Sequence, residues 1–137
     1  MTGEPLRYVF ELAGEVRDYE CDMHGIVNNA VYLNYLEHAR RTFLRGRGLG
    51  FADLAADGVR LLMAEMTIKY RQSLVSGDSY VVRLALRRSG GLLVFAGDIF
   101  RTPDEVLCVQ SVAKVAVQKH GRLTLGEPFD GLLAELA

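Results

Sequence analysis

Arg17-Asp18-Tyr19-Glu20-Cys21-Asp22-Met23-His24-Gly25-Ile26-Val27-Asn28-Asn29-Ala30-Val31-Tyr32 is the stretch on which the reading of this chain turns. A carboxylate-rich run meets a glycine, two asparagines follow, and a segment patterned as a helix begins. Its apolar residues recur at Val31, Tyr32, Tyr35, Leu36, Ala39, Phe43 and Leu44, a stripe at helical spacing. Asn28 and Asn29 are good N-cap residues, Glu37 and Arg41 form a favourable pair four apart on the other face, and Gly46, Gly48 and Gly50 stop the helix after about four to five turns. Asp22 therefore lies a few residues ahead of a helix N-terminus. Unpaired backbone N–H groups at such an end can hold a developing negative charge. A carboxylate beside an oxyanion site is the equipment that hydrolysis of an activated ester needs.

Upstream, Arg7 to Val16 reads as a strand, with Tyr8, Phe10 and Leu12 on one face. Glu15 to His24 is too polar for a core strand, so the chain leaves the sheet there, and Gly25 permits a sharp turn. Downstream, Phe51 to Val59 reads as a connector with a helical turn. Four strand patterns follow: Arg60 to Arg71, Ser79 to Arg88, Leu92 to Arg101 and Val106 to Lys119. In the last, Leu107, Val109, Ser111, Ala113, Val115 and Val117 share a face opposite Gln110, Lys114 and Gln118, the alternation of a half-buried antiparallel strand. The segment after Gly121 reads as a loose edge. Strand, long helix and a four-stranded meander give an α+β layer fold in one domain spanning residues 1–137. One helix cannot cover both faces of five strands, so a sheet face or edge is expected to meet another subunit.

The bulk numbers narrow the function. A chain of 137 residues with half its residues hydrophobic can bury a core, and a net charge of −1 without a long basic run argues against nucleic acid. No apolar run approaches the ~20 residues of a membrane span. Met1 to Phe10 carries an acid, Glu4, and lacks an export-type apolar core, which points to the cytoplasm, where Cys21 and Cys108 stay free thiols. The basic cluster Arg40, Arg41, Arg45 and Arg47 fits a helix C-terminal turn, with a phosphate-bearing ligand as the sharper alternative. Cys21 with His24 is too small a set for a metal site. Ser111 and Lys114 of a Ser-x-x-Lys pattern fall on opposite strand faces, and Gly46-x-Gly48-x-Gly50 is not a dinucleotide-binding spacing.

Asp22-x-x-Gly25-Ile26-Val27-Asn28-Asn29-x-x-Tyr32 ahead of a long helix resembles the signature of the 4-hydroxybenzoyl-CoA thioesterase family. The Val-Asn-Asn-Ala-x-Tyr wording is closest to its long-chain acyl-CoA and acyl-carrier-protein branch. Tyr70-Arg71 and Gly77-Asp78 match a second, weaker pattern. The resemblance covers about residues 7 to 119. It implies the hotdog fold, a five-stranded antiparallel sheet wrapped around one long helix, with subunits joined as homodimers or homotetramers and active sites at the dimer interface. It carries the catalytic carboxylate onto Asp22 and the oxyanion donor onto the backbone N–H of Asn29, a position where some relatives have His. Ser73 stands where many have Pro.

The expected activity is hydrolysis of acyl-CoA or acyl-carrier-protein thioesters without metal or cofactor, with Asp22 as general base or as nucleophile. Substrate contacts are expected from His24, Gly25, Val27 and Tyr32, although core packing is the default for Tyr32 and for Tyr19. Glu37 is the reserve carboxylate. Glu65 reads as a sheet-surface residue that could instead enter the pocket. Arg71, Arg87 and Arg88 could meet phosphate or simply end strands. The alternatives are a non-catalytic acyl-binding module and, more remotely, a dehydratase built on His24.

Overall fold

The computed structural model describes residues 7–137, so most of the N-terminal stretch read above for export lies outside it. The elements are β1 (Phe10–Glu15), α1 (Asn29–Gly46), α2 (Phe51–Ala56), β2 (Val59–Tyr70), β3 (Ser79–Ser89), β4 (Leu92–Thr102), β5 (Val106–Lys119), β6 (Arg122–Leu123) and α3 (Asp130–Leu136), with 3-10 turns at Asp18–Glu20 and Glu127–Phe129. The sheet is antiparallel in the order β1-β3-β4-β5-β2, with β6 added to β5.

The helix forms where its stripe demands it. Asn28 caps it, its side-chain oxygen accepting from the Ala30 N–H at 3.1 Å, and Tyr32, Tyr35, Leu36, Ala39, Phe43 and Leu44 are buried along one face. That face lies in the hollow of the sheet, against Val82 and Leu84 of β3, Leu93, Phe95 and Ile99 of β4, and Val109, Ala113 and Val115 of β5. Gly97 on β4 marks a tight contact with the helix. A Cβ there would stand 2.9 Å from Leu36 Cδ2, 3.1 Å from Ser111 Oγ and 3.3 Å from Leu84 Cδ2, so the absence of a side chain lets the helix sit down on the strand.

Three expectations change. Only β3, β4 and β5 form a meander; β2 pairs with β5 and lies at the edge away from β3. The reason is the segment 71–78, which crosses beneath the start of α1. There the Val27 N–H donates to the Leu74 carbonyl at 2.9 Å and the Leu74 N–H donates to the Tyr32 hydroxyl at 3.0 Å. The chain leaves the sheet at one edge and re-enters beside β1. Second, the tail is not loose: a short β6, a 3-10 turn and α3 follow Gly121, because Phe129 and Leu132 are apolar anchors buried to 0% and 5% exposure. Third, the register between β4 and β5 shifts at Ile99/Phe100, leaving Cys108 as the extra residue. That bulge buries Cys108 and moves Leu107 off the buried row. Ser111 donates to the Gly97 carbonyl at 2.7 Å, while Lys114 pairs with Glu65 at 3.5 Å on the outer face. Glu65 is thus a sheet-surface residue.

Leu36 is fully buried where it packs on Gly97. Leu36→Ala is expected to cost about 2–5 kcal/mol, read as a lower midpoint in urea unfolding with little change in slope.

Candidate active site

Asp22 lies on a small hairpin in front of α1. Cys21 and Val27 bridge, and Ile26 bridges to Val75. Between them the Asp22 N–H donates to the Ile26 carbonyl at 2.9 Å and the Gly25 N–H to the Asp22 carbonyl at 3.0 Å. Gly25 turns the chain with a φ of +79°, a value that favours glycine. The Asp22 carboxylate accepts from the His24 N–H at 2.8 Å, which closes the turn; its second oxygen has no partner among the described residues. The loop is held to the body of the protein by the Asn28 N–H donating to the Glu20 carbonyl at 3.0 Å and by the Val27–Leu74 bond.

The helix end beside it has a free donor. The Asn28 side chain takes the Ala30 N–H and its carbonyl takes the Val31 N–H. Among the described residues the Asn29 N–H has no acceptor, as expected of the first residue of a helix. Tyr70 at the end of β2 donates its hydroxyl to the Asn29 carbonyl at 3.2 Å, in the next peptide of the helix, which ties β2 to the first turn of α1. Asp22 and Asn29 are therefore brought to one end of α1, both exposed in the single chain.

His24 and Gly25 are exposed beside them. Val27 and Tyr32, expected to contact substrate, are buried in the single chain. Their side chains are 2% and 3% exposed, and the Tyr32 hydroxyl is engaged by Leu74. Tyr19, read as core by default, is 81% exposed, because it sits on the outer side of the Asp18–Glu20 turn. Glu37 is paired with Arg41 at 3.2 Å, two turns up the helix from Asn29. Arg71 donates to Gln110 at 3.0 Å, Arg88 pairs with Asp130, and Arg87 is exposed.

Two residues were not legible as parts of this region. Glu20 accepts from the Arg17 N–H at 2.8 Å and from the Tyr35 hydroxyl at 2.8 Å, linking the turn before the hairpin to the helix. Only its place two residues before Asp22 hinted at this. Arg40 is 9% exposed, and burial pushes its pKa down. Its spacing was the signal: it falls four residues after Leu36 and four before Leu44, within the buried stripe.

Tyr35 and Tyr80 stack at 4.4 Å behind the loop. Burial, followed by the Glu20 charge, pushes Tyr80 up to about 12; burial and then the Glu20 hydrogen bond raise Tyr35 further. The Cys21 thiol is also raised, first by desolvation and then by Asp18, Asp22 and Glu20, which disfavours a thiolate nucleophile.

A family model described as the thioesterase-like superfamily matches residues 16–122. A chloroplastic acyl-acyl carrier protein thioesterase of Arabidopsis thaliana is 38% identical over 104 residues, covering 75% of this chain and 55% of that protein. A long-chain acyl-CoA thioesterase of Escherichia coli is 31% identical over 77 residues, covering 56% of this chain and 58% of that one. The chain spans about half the length of the curated plant relatives it matches. A hypothetical protein from Aquifex aeolicus superposes with a TM-score of 0.82 at 25% identity, over 90% of this chain and 98% of that one.

The raised tyrosines set an alkaline limit. Unfolded tyrosines titrate near pH 10. A folded pKa above that value gives stability that is fully present below about pH 10 and is lost as pH rises through the folded value. Urea midpoints are expected to fall steeply above about pH 10, beyond any decline the raised thiols cause from about pH 8.5, with Tyr35→Phe reducing the fall above about pH 10.

Proposed function

The chain belongs to the thioesterase-like superfamily, and on that premise we propose that it hydrolyses acyl thioesters of CoA or of acyl carrier protein. The observation that carries this is the pairing at the start of α1: a carboxylate held by its own loop and a backbone N–H with no acceptor among the described residues. A thioester's leaving thiol has a pKa near that of cysteine, about 8.5, so it departs without a strong acid. The demanding group is the tetrahedral oxyanion. Asn29 supplies its donor, and loss of one such donor costs about 100–1000-fold in rate. Asp22 activates water or attacks the carbonyl itself. His24 and Gly25 line the approach.

The acyl chain is placed along the seam between α1 and β2. The inward row of β2 is Tyr70, Ile68, Met66 and Met63, kept in phase by a bulge between Met63 and Glu65. Tyr70 and Met63 are 47% and 48% exposed, unusually open for apolar residues on the core face of a sheet. Among the described residues nothing pairs with the outer edge of β2, a 12-residue strand. Long bare edges of this kind invite another strand, so we place a second copy there, covering the seam and Asp22. A homodimer is the unit of the site, and a homotetramer is a pair of such units. No described helix is long and apolar enough to cross a membrane. The proposed setting is a reducing one such as the cytoplasm, where Cys21 and Cys108 remain thiols.

Asp22→Asn is expected to lower thiol release from acyl-CoA and acyl-carrier-protein substrates by at least about a hundredfold, with the urea midpoint and thioester binding nearly unchanged. Full activity in this variant would remove Asp22 from the chemistry; saturable binding without thiol release by the wild type would favour a non-catalytic acyl-binding module. Sedimentation is expected to give an even multiple of 15.2 kDa, and an active monomer would contradict the shared site.

A further inference from the structure

The far half of α1 carries a feature that hydrolysis does not use. Arg40 points inward from the buried stripe and is 9% exposed. Among the described residues its guanidinium has neither an ion-pair nor a hydrogen-bond partner, although no fully enclosed side-chain nitrogen or oxygen goes unsatisfied. Its donors therefore keep slight access, and Arg40 lines a cavity of about 130 Å3 between α1, α2 and the inner row of the sheet. Phe51, Leu61, Met63 and Phe95 supply apolar wall. Glu37 and Arg41 also reach this space, but they neutralise each other at 3.2 Å, and Arg41 is further held 4.1 Å above the Phe51 ring. One positive charge is left over.

A guanidinium stays protonated even when burial disfavours its charge, and it forms its strongest contacts as a two-pronged donor to a carboxylate. A buried cation without a partner is costly. The walls fit hydrocarbon better than a hydrated inorganic ion. We propose that this cavity binds the carboxylate of an apolar acid through Arg40. Two sources share that chemistry: a free carboxylic acid, or the far carboxyl of an acyl group whose thioester lies at Asn29. From Asn29 to Arg40 the helix rises eleven residues, about 16 Å. The half-open row Tyr70, Ile68, Met66 and Met63 runs between the same two ends. The second source rests on the thioesterase reading; the first does not.

The test begins with wild-type protein. Calorimetric titration with hexanoate and benzoate, against hexanamide and benzamide, is expected to show each acid binding at least about tenfold tighter than its amide. Arg40→Met is expected to abolish that preference while retaining a cooperative melt. Equal binding of acid and amide by the wild type overturns the proposal. So does loss of the oligomer in Arg40→Met without an acid preference in the wild type, which would make Arg40 an intersubunit ion pair. Thiol release from dodecanedioyl-CoA and lauroyl-CoA then separates the sources. A fall of about tenfold or more in the ratio of their kcat/KM values on Arg40→Met assigns the site to the acyl end. An unchanged ratio alongside the acid preference assigns it to free acids. Absence of thiol release from both thioesters refutes the hydrolase reading, and the titration still decides the cavity.

Discussion

The contact between Leu36 and Gly97 sets the geometry on which the site depends. Helix and sheet can approach this closely only where one partner has no side chain. Gly97 supplies that place at the middle of β4, with Leu84 and Ser111 on either side. Once α1 is seated, its N-terminus can lie at only one end of the hollow. The same burial that makes Leu36 costly to lose is what aims the Asn29 N–H.

Seating alone would leave the helix end loose. The crossing segment 71–78 prevents this by lying under the first turn of α1, where Leu74 is fully buried. Its amide meets the Tyr32 hydroxyl and its carbonyl meets the Val27 amide. An unpaired buried peptide costs about 1–3 kcal/mol, so both bonds are strongly specified. The turn after it is tied in by the Gly77 N–H on the Val16 carbonyl and by the Asp78 carboxylate on the Val75 N–H. The residues Tyr70 and Gly77-Asp78, distant in sequence from Asp22, thus brace the ground on which the Asp22 hairpin stands. A loop carrying a catalytic group works best when a rigid scaffold fixes both its ends.

Local chemistry was readable; long-range pairing was not. Asn28 as a cap, Gly25 as a turn, the glycines after α1 and the bounds of β3 and β5 each follow from properties of a few neighbouring residues. The place of β2 beside β5 depends on where 71–78 crosses, and nothing within β2's own alternation distinguishes one neighbour from another. The β5 bulge was hidden for a related reason. Cys108 and Leu107 are both apolar, so period-two counting runs through them without registering the extra residue. The placement of Asp22 and Asn29 at one end of α1 was legible because motif and helix start coincide. Val27 and Tyr32 are buried in the single chain, and in sequence an apolar residue beside a site has the same appearance whether it faces ligand or core. Arg40 was overlooked by grouping it with Arg41, Arg45 and Arg47 by type, when its position in the helical period set it apart.

Three features of the single chain share one remedy. Asp22 is exposed, one edge of β2 is unpaired among the described residues, and Met63 and Tyr70 present half-open apolar surface along the same seam. Each is unfavourable or inert alone. A carboxylate in bulk water has little reason to attack a thioester, since water screens the charge it must act on. A long bare strand invites aggregation. Apolar side chains in water forgo about 25 cal/mol per Å2 of burial. A second copy laid along β2, as proposed above, would answer all three together. Covering the seam would dry the proposed acyl path, and drying it would strengthen both the field of the helix end and the pull of Asp22 on a water or carbonyl. With the proposed second copy in place, assembly and catalysis would draw on the same buried surface, and the isolated subunit would hold half of the proposed site.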